Sequence, residues 1–96
     1  MVTAMAIAIR LRIQGRVQGV GYRAWLEREA SACGLRGWVR NRRDGSVEAL
    51  LIGPADAVEA AIAACARGPR LAGVSGIERN SDVDDGSHGF AALPTI

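Results

Sequence analysis

Ile7-Ala8-Ile9-Arg10-Leu11-Arg12-Ile13, followed one residue later by Gly15-Arg16-Val17-Gln18-Gly19-Val20-Gly21-Tyr22-Arg23, is the stretch from which the fold of this chain can be read. Ile7, Ile9, Leu11 and Ile13 alternate with Ala8, Arg10 and Arg12, the period of two that marks a strand with one wet face. Beyond the glycines, Trp25, Leu26, Ala30 and Cys33 recur at helical spacing, with Glu27, Arg28 and Glu29 on the outer face and Gly34 as a C-cap. The glycines therefore join a strand to a helix. They free the backbone to curl with its N–H groups inward, a nest for an anion. The start of the helix adds unpaired N–H groups and partial positive charge. Arg23, in the first turn of that helix, can grip two oxygens of one phosphate or carboxylate. Gly15, Arg16, Val17, Gln18, Gly19, Val20, Gly21 and Tyr22 thus form a candidate phosphate-binding loop, and Arg23 completes it.

The rest of the chain extends this unit. A second strand is predicted over residues 35–41. Arg43-Asp44-Gly45-Ser46 then marks a hairpin turn into a third strand over 47–52. Gly53-Pro54 ends that strand, and Pro54 suits the opening of a helix. Val58, Ala61, Ile62 and Cys65 fall on one helical face, and the helix runs to about Arg67 before Gly68-Pro69. A fourth strand includes Val74 and Ile77. An acidic loop over 81–87 leads to a short final strand over 90–93. The order is βαββαβ plus that final strand. It predicts an α+β, ferredoxin-like split-βαβ sandwich: an antiparallel or mixed sheet with two helices on one face. Strands one and two, joined by a helical crossover, run in the same direction. The glycine loop, Arg23 and Asn41 should then converge at one edge of the sheet.

Residues 1–96 are expected to form one domain, with residues 1–5 a frayed leader before the first strand. The apolar fraction of 49% and charged fraction of 23% are ordinary for a soluble globular protein. All 12 basic residues are arginine, which excludes Schiff-base or lysine general-base chemistry. A net charge of +2 is too small to argue for a nucleic-acid partner. Base-stacking modules on this topology place aromatics on their central strands, and strands one and three here carry none. Cys33 and Cys65 read as buried free thiols on their helices, which fits a reducing, cytoplasmic compartment. No apolar run approaches a membrane span and no signal-peptide pattern opens the chain. One histidine, His88, in a surface loop, and two helical cysteines give no ligand cluster, so neither metal nor cofactor is expected. Trp38 and Tyr22 read as core packing. Arg40, Arg42 and Arg43 read as a solvated patch flanking the pocket, able to steer anions toward it.

With these residues in place the chain resembles the acylphosphatase family over nearly its whole length, from about Ile7 to Phe90. The resemblance rests on the glycine-loop stretch ending at Arg23, on Gly37-Trp38-Val39-Arg40-Asn41, and on Asp44-Gly45-Ser46-Val47-Glu48. The Gly53-Pro54 helix opening and the Gly68-Pro69 exit also match. Phe90-Ala91-Ala92-Leu93-Pro94, interrupted by its proline, departs from the family pattern. The resemblance implies hydrolysis of a small acyl phosphate to a carboxylate and inorganic phosphate, with Arg23 and Asn41 as the catalytic residues. A carboxylate leaves readily, so no general acid is needed, and positioning and charge stabilisation dominate. Asn41 would orient the attacking water, and no metal would be required. A carbamoyl-phosphate-handling domain of a larger maturation enzyme shares the motif. The end of the chain just after its last strand favours the free-standing enzyme, expected to be a monomer.

Overall fold

The computed structural model describes residues 6–96; the expected leader over residues 1–5 lies outside them. The elements are β1 (Ala6–Arg16), α1 (Tyr22–Ala32), β2 (Arg36–Asn41), β3 (Val47–Pro54), α2 (Ala55–Arg67), β4 (Gly73–Ser81) and β5 (Phe90–Ala92). The sheet order is β4-β1-β3-β2-β5. β3 lies antiparallel between β1 and β2, with Arg12 opposite Glu48 on one side and Arg40 opposite Glu48 on the other. β1 and β2 are therefore parallel to each other, the split βαβ arrangement predicted from the element order. β5 runs parallel to β2, Gly37 opposite Phe90 and Val39 opposite Ala92, so the sheet is mixed. It ends ahead of Pro94, whose missing N–H could not extend the ladder.

Strand alternation sorts side chains onto two faces. Ile9, Leu11 and Ile13 of β1 join Val47, Ala49 and Leu51 of β3 beneath the helices. Leu26 and Ala30 of α1 and Val58, Ala61 and Cys65 of α2 close that core from above. The opposite face is not simply wet. Ala8, Leu50 and Ile52 form a second buried cluster with Trp38 packed on it. β3 is thus buried on both faces, as its unbroken apolar run 49–52 suits.

Cys33 is exposed, against the expectation that it belongs to the core, whereas Cys65 is buried. The cause is how α1 stops. Gly34 takes the left-handed conformation (φ 71°) just beyond the helix. The Leu35 amide bonds back to the Ala30 carbonyl at 2.9 Å and the Gly34 amide to that of Ser31 at 3.0 Å. That paired closure reverses the chain and drives the residue after glycine onto the helix's last apolar turn. Leu35, 2% exposed, joins the core cluster in place of Cys33.

Gly15 stands at a bulge where the β1–β4 register shifts between Gln14 and Gly15. Its φ is 118°, and a Cβ there would lie 2.2 Å from the Gly73 carbonyl oxygen. This glycine allows two strands to approach. It does not form part of the loop.

Candidate active site

β1 runs to Arg16, so Gly15 and Arg16 belong to the strand, paired with Val74 and Gly73, and the loop proper is Val17 to Gly21. Val17 turns its side chain into the core, 1% exposed, and Val20 packs partly against the same core. Gln18 reaches across to the hairpin between β2 and β3. Its Nε2 donates to the carbonyls of Arg42 at 2.6 Å and Ser46 at 2.8 Å. Gly19 and Gly21 carry φ of 75° and 78°, with nothing within 4 Å of an added Cβ. Here glycine supplies a backbone conformation, whereas at Gly15 it supplies room.

Gly21 is the N-cap of α1, without a side-chain cap, and the first turn contains no acidic residue. The amides at the head of this helix are therefore free of internal anionic partners, and the positive end of the helix faces outward unneutralised. A cavity of about 200 Å³ opens there. It is lined by Val17, Gln18, Gly19 and Gly21 of the loop, by Tyr22, Arg23 and Ala24 of α1, and by Asn41 from the end of β2. Such a space has room for a phosphoryl group and water.

Arg23 and Asn41, separated by the helix and a strand in sequence, thus line one cavity. The Arg23 side chain is held by the chain beyond β5: Nη1 donates to the Leu93 carbonyl at 3.0 Å. Leu93 is itself fixed by its amide to the Val39 carbonyl at 2.8 Å. The Asn41 backbone carbonyl accepts from the Ile96 amide at 3.2 Å. Its side-chain Oδ1 is buried and has no hydrogen-bond partner among the described residues. A buried acceptor left unpaired costs about 1–3 kcal/mol, so such an atom asks for a donor brought by something bound.

Tyr22 contributes its backbone to the cavity, but its hydroxyl points elsewhere. The ring is 1% exposed, and the hydroxyl donates to the Cys65 carbonyl at 2.7 Å. Burial, with help from Cys65, pushes the phenol far above its ordinary value, so it is no proton donor to the cavity at neutral pH. Trp38 packs on the opposite sheet face, with the Arg40 guanidinium 4.6 Å from its ring centroid. Arg40 and Arg42 also lie on that face, not beside the cavity, and both bind Glu48. That differs from the expected steering patch, because residues on either side of Asn41 must point away from it. Arg43 is exposed in the hairpin turn. No three His, Cys, Asp or Glu side chains gather into a metal-binding group among the described residues. No helix of the described residues is long and apolar enough to cross a membrane.

Sequence reasoning missed the anchors: Gln18 as a bridge, the Leu93 carbonyl behind Arg23, and Glu48 behind the strand end. Each spans a long separation in the chain, and only for Glu48, in the Asp44–Glu48 motif, was there a local signal.

The acylphosphatase family model matches residues 9–92. An Azoarcus acylphosphatase is 59% identical over 85 residues, covering 88% of this chain and 87% of the relative. A Rhodopseudomonas palustris acylphosphatase is 49% identical over 96 residues, covering 94% of this chain and 97% of the relative. Among solved structures, the acylphosphatase of Bacillus subtilis superposes with a TM-score of 0.88 at 37% identity, covering 93% of this chain and 99% of that one. With matched coverage of sequence and fold on both sides, the chain belongs to the acylphosphatase family, a family of hydrolases.

Proposed function

We propose that this chain hydrolyses the carboxyl–phosphate bond of small acyl phosphates, without a metal, releasing a carboxylate and inorganic phosphate. The observation that carries the reading is the buried, unpartnered Oδ1 of Asn41. Asn41 lines the same cavity as Arg23 and the free helix amides. In this reading the phosphoryl oxygens sit against the loop and first-turn amides and the Arg23 guanidinium. Asn41 Oδ1 accepts a hydrogen bond from a water and so fixes that water's lone pair toward phosphorus.

The water oxygen forms a bond to phosphorus as the bond from phosphorus to the acyl oxygen breaks. The electron pair leaves on the carboxylate, and the water's proton passes to the phosphoryl oxygens or to solvent. The transition state is loose, with charge spread over the equatorial oxygens, which is where the amides and Arg23 act. An asparagine cannot take the proton. None needs to be taken early when the leaving group is a carboxylate. The acyl portion meets few specific groups, so a range of small acyl phosphates should serve. The reading takes the chain to act as a monomer on a cytoplasmic substrate.

The test is release of phosphate from acetyl or benzoyl phosphate in the presence of a chelator. Asn41→Ala should lower kcat by roughly 10²–10³, about 2.7–4 kcal/mol of transition-state stabilisation, as for loss of one preorganised polar group. KM and competitive inhibition by inorganic phosphate should barely change. An Asn41→Ala protein that is folded and fully active would refute the role. Activity that is lost in chelator and restored by magnesium would refute the metal-free mechanism.

A further inference from the structure

The open face of the sheet, opposite the helices, carries a carboxylate whose surroundings go beyond surface ion pairing. Glu48 is only 7% exposed although it faces away from the main core. Its Oε1 accepts from Arg40 Nε at 2.9 Å and from Arg42 Nη1 at 3.0 Å. Arg10 Nη1 lies 3.8 Å from Oε2. Burial alone would raise this carboxyl, yet the two bonded guanidiniums bring it below its ordinary value, so it stays charged at neutral pH. The two arginines that share one oxygen are the residues on either side of Asn41.

We infer that Glu48 is a positioning residue for Asn41: by tying Arg40 and Arg42 to one buried oxygen on the open face, it holds Asn41 toward the cavity on the other. The inference rests on the water-orienting role proposed for Asn41. Its physical basis is strand alternation. In a strand, fixing the neighbours on one face fixes the residue between them on the opposite face. Asn41 forms the last pair of the β2–β3 ladder, opposite Val47, and its backbone is also held by the Ile96 amide, so what the clamp adds is the direction of the side chain. Strand ends beside turns are where backbone order is least secured by pairing. The Arg42 end of the clamp also carries the Gln18 contact, since the Arg42 carbonyl accepts from Gln18 Nε2 at 2.6 Å. That bond is made to the Arg42 backbone, so it does not depend on the Arg42 guanidinium that Glu48 holds. Without Glu48, Arg40 and Arg42 would hold like charges side by side with no shared anion between them.

A structural carboxylate and a positioning one are separated by a double-mutant cycle with Asn41→Ala, read in kcat and KM on benzoyl phosphate. Glu48→Gln keeps the shape and removes the charge. It should lower kcat by about 10- to 100-fold, the usual cost of losing a group that orients a reactive one. KM should stay within about twofold, because the phosphate-holding groups are untouched. In the Asn41→Ala background the same change should cost almost nothing in kcat. Equal losses in both backgrounds, or no loss in the Asn41-containing protein, would overturn the inference. If Glu48→Gln does not fold, Arg42→Met leaves Glu48 paired with Arg40 and Arg10 and should show the same non-additive kcat loss at smaller size. Additivity there would overturn it equally. If Asn41→Ala alone costs nothing, the water-orienting role fails first and takes this inference with it.

Discussion

Removing a single oxygen atom, by Tyr22→Phe, should weaken the fold while leaving the chemistry intact. The Tyr22 hydroxyl donates to the Cys65 carbonyl at 2.7 Å, and both residues are at most 1% exposed. That carbonyl lies near the end of α2, where its helical donor would be the amide of the residue four positions on. That residue is Pro69, which has no N–H. The tyrosine hydroxyl therefore replaces the missing donor. Deleting it strands a buried carbonyl, at a cost of about 1–3 kcal/mol. For a domain of this size each kcal/mol lowers the melting midpoint by about 4–8 °C. Ring packing, including the tilted contact with Trp25 at 5.2 Å, would be retained. Circular dichroism melts give the stability; phosphate release at 25 °C, where the variant is still folded, gives the activity. Wild-type kcat and KM are expected, because the hydroxyl is bonded to α2. The chain has one tyrosine, so phenolate absorbance reports this group alone. With burial pushing the phenol upward, that absorbance should appear in alkali only as the wild-type protein unfolds. A midpoint within about 1 °C of wild type, below the smallest loss expected for a stranded carbonyl, would refute the assignment. So would a fall in kcat at a temperature where the variant is fully folded.

Arg23→Lys should be nearly as damaging as Arg23→Ala, losing roughly 10²–10³ in kcat/KM through both terms, because Nη1 already holds the Leu93 carbonyl and an ammonium lacks the planar fork that could hold it and a phosphoryl oxygen at once. Steady-state kinetics on benzoyl phosphate check this, and a lysine variant with wild-type constants would mean that a point charge is enough. Thiol labelling should separate the two cysteines. Exposed Cys33 reacts promptly in the native protein, while buried Cys65, its thiol pushed up to about 11, reacts only on unfolding. Prompt labelling of both thiols under native conditions would contradict that assignment.

The element order, the split βαβ sandwich and the convergence of Arg23 with Asn41 were legible in the sequence, whereas the sheet read as antiparallel or mixed and the parallel pairing of β5 with β2 decides it. Each depends on local periodicity or on topology rules that act over a whole element. What was not legible shares a different physical origin. Cys33 was misread because periodicity and a C-cap at Gly34 do not show which residue the reversal brings into the core. That residue is Leu35, just beyond the glycine. Gly15 and the loop glycines look alike as letters, but one sits where a Cβ would strike the Gly73 carbonyl and the others where nothing is near. Only the paired strand tells them apart. Arg40 and Arg42 read as a steering patch because their charge is visible in sequence and their partner's direction is not. Once β2 pairs with β3, Arg40 lies opposite Glu48 and the charges are internally engaged.

The loop itself poses a conflict that its anchors resolve. A stretch with glycines at 19 and 21 has more conformations to lose than any other sequence, so glycine alone would yield a mobile loop and a poor oxyanion site. Electrostatic stabilisation of a transition state requires donors already in place, since reorganising them during the reaction would cancel the gain. Along residues 17 to 22 the chain alternates fixed and open positions. Val17 is buried in the core, Gln18 is bonded to the Arg42 and Ser46 carbonyls, Val20 packs partly against the core, and Tyr22 is buried and bonded to α2. Between them Gly19 and Gly21 carry the left-handed turns with no side chain in the way. The glycines thus set the curvature and their neighbours remove the freedom that comes with it. Loosening one neighbour, as Tyr22→Phe does only at its hydroxyl, should therefore cost stability before it costs catalysis. Releasing Gln18, whose bonds hold the loop directly against the Asn41 hairpin, should cost catalysis first.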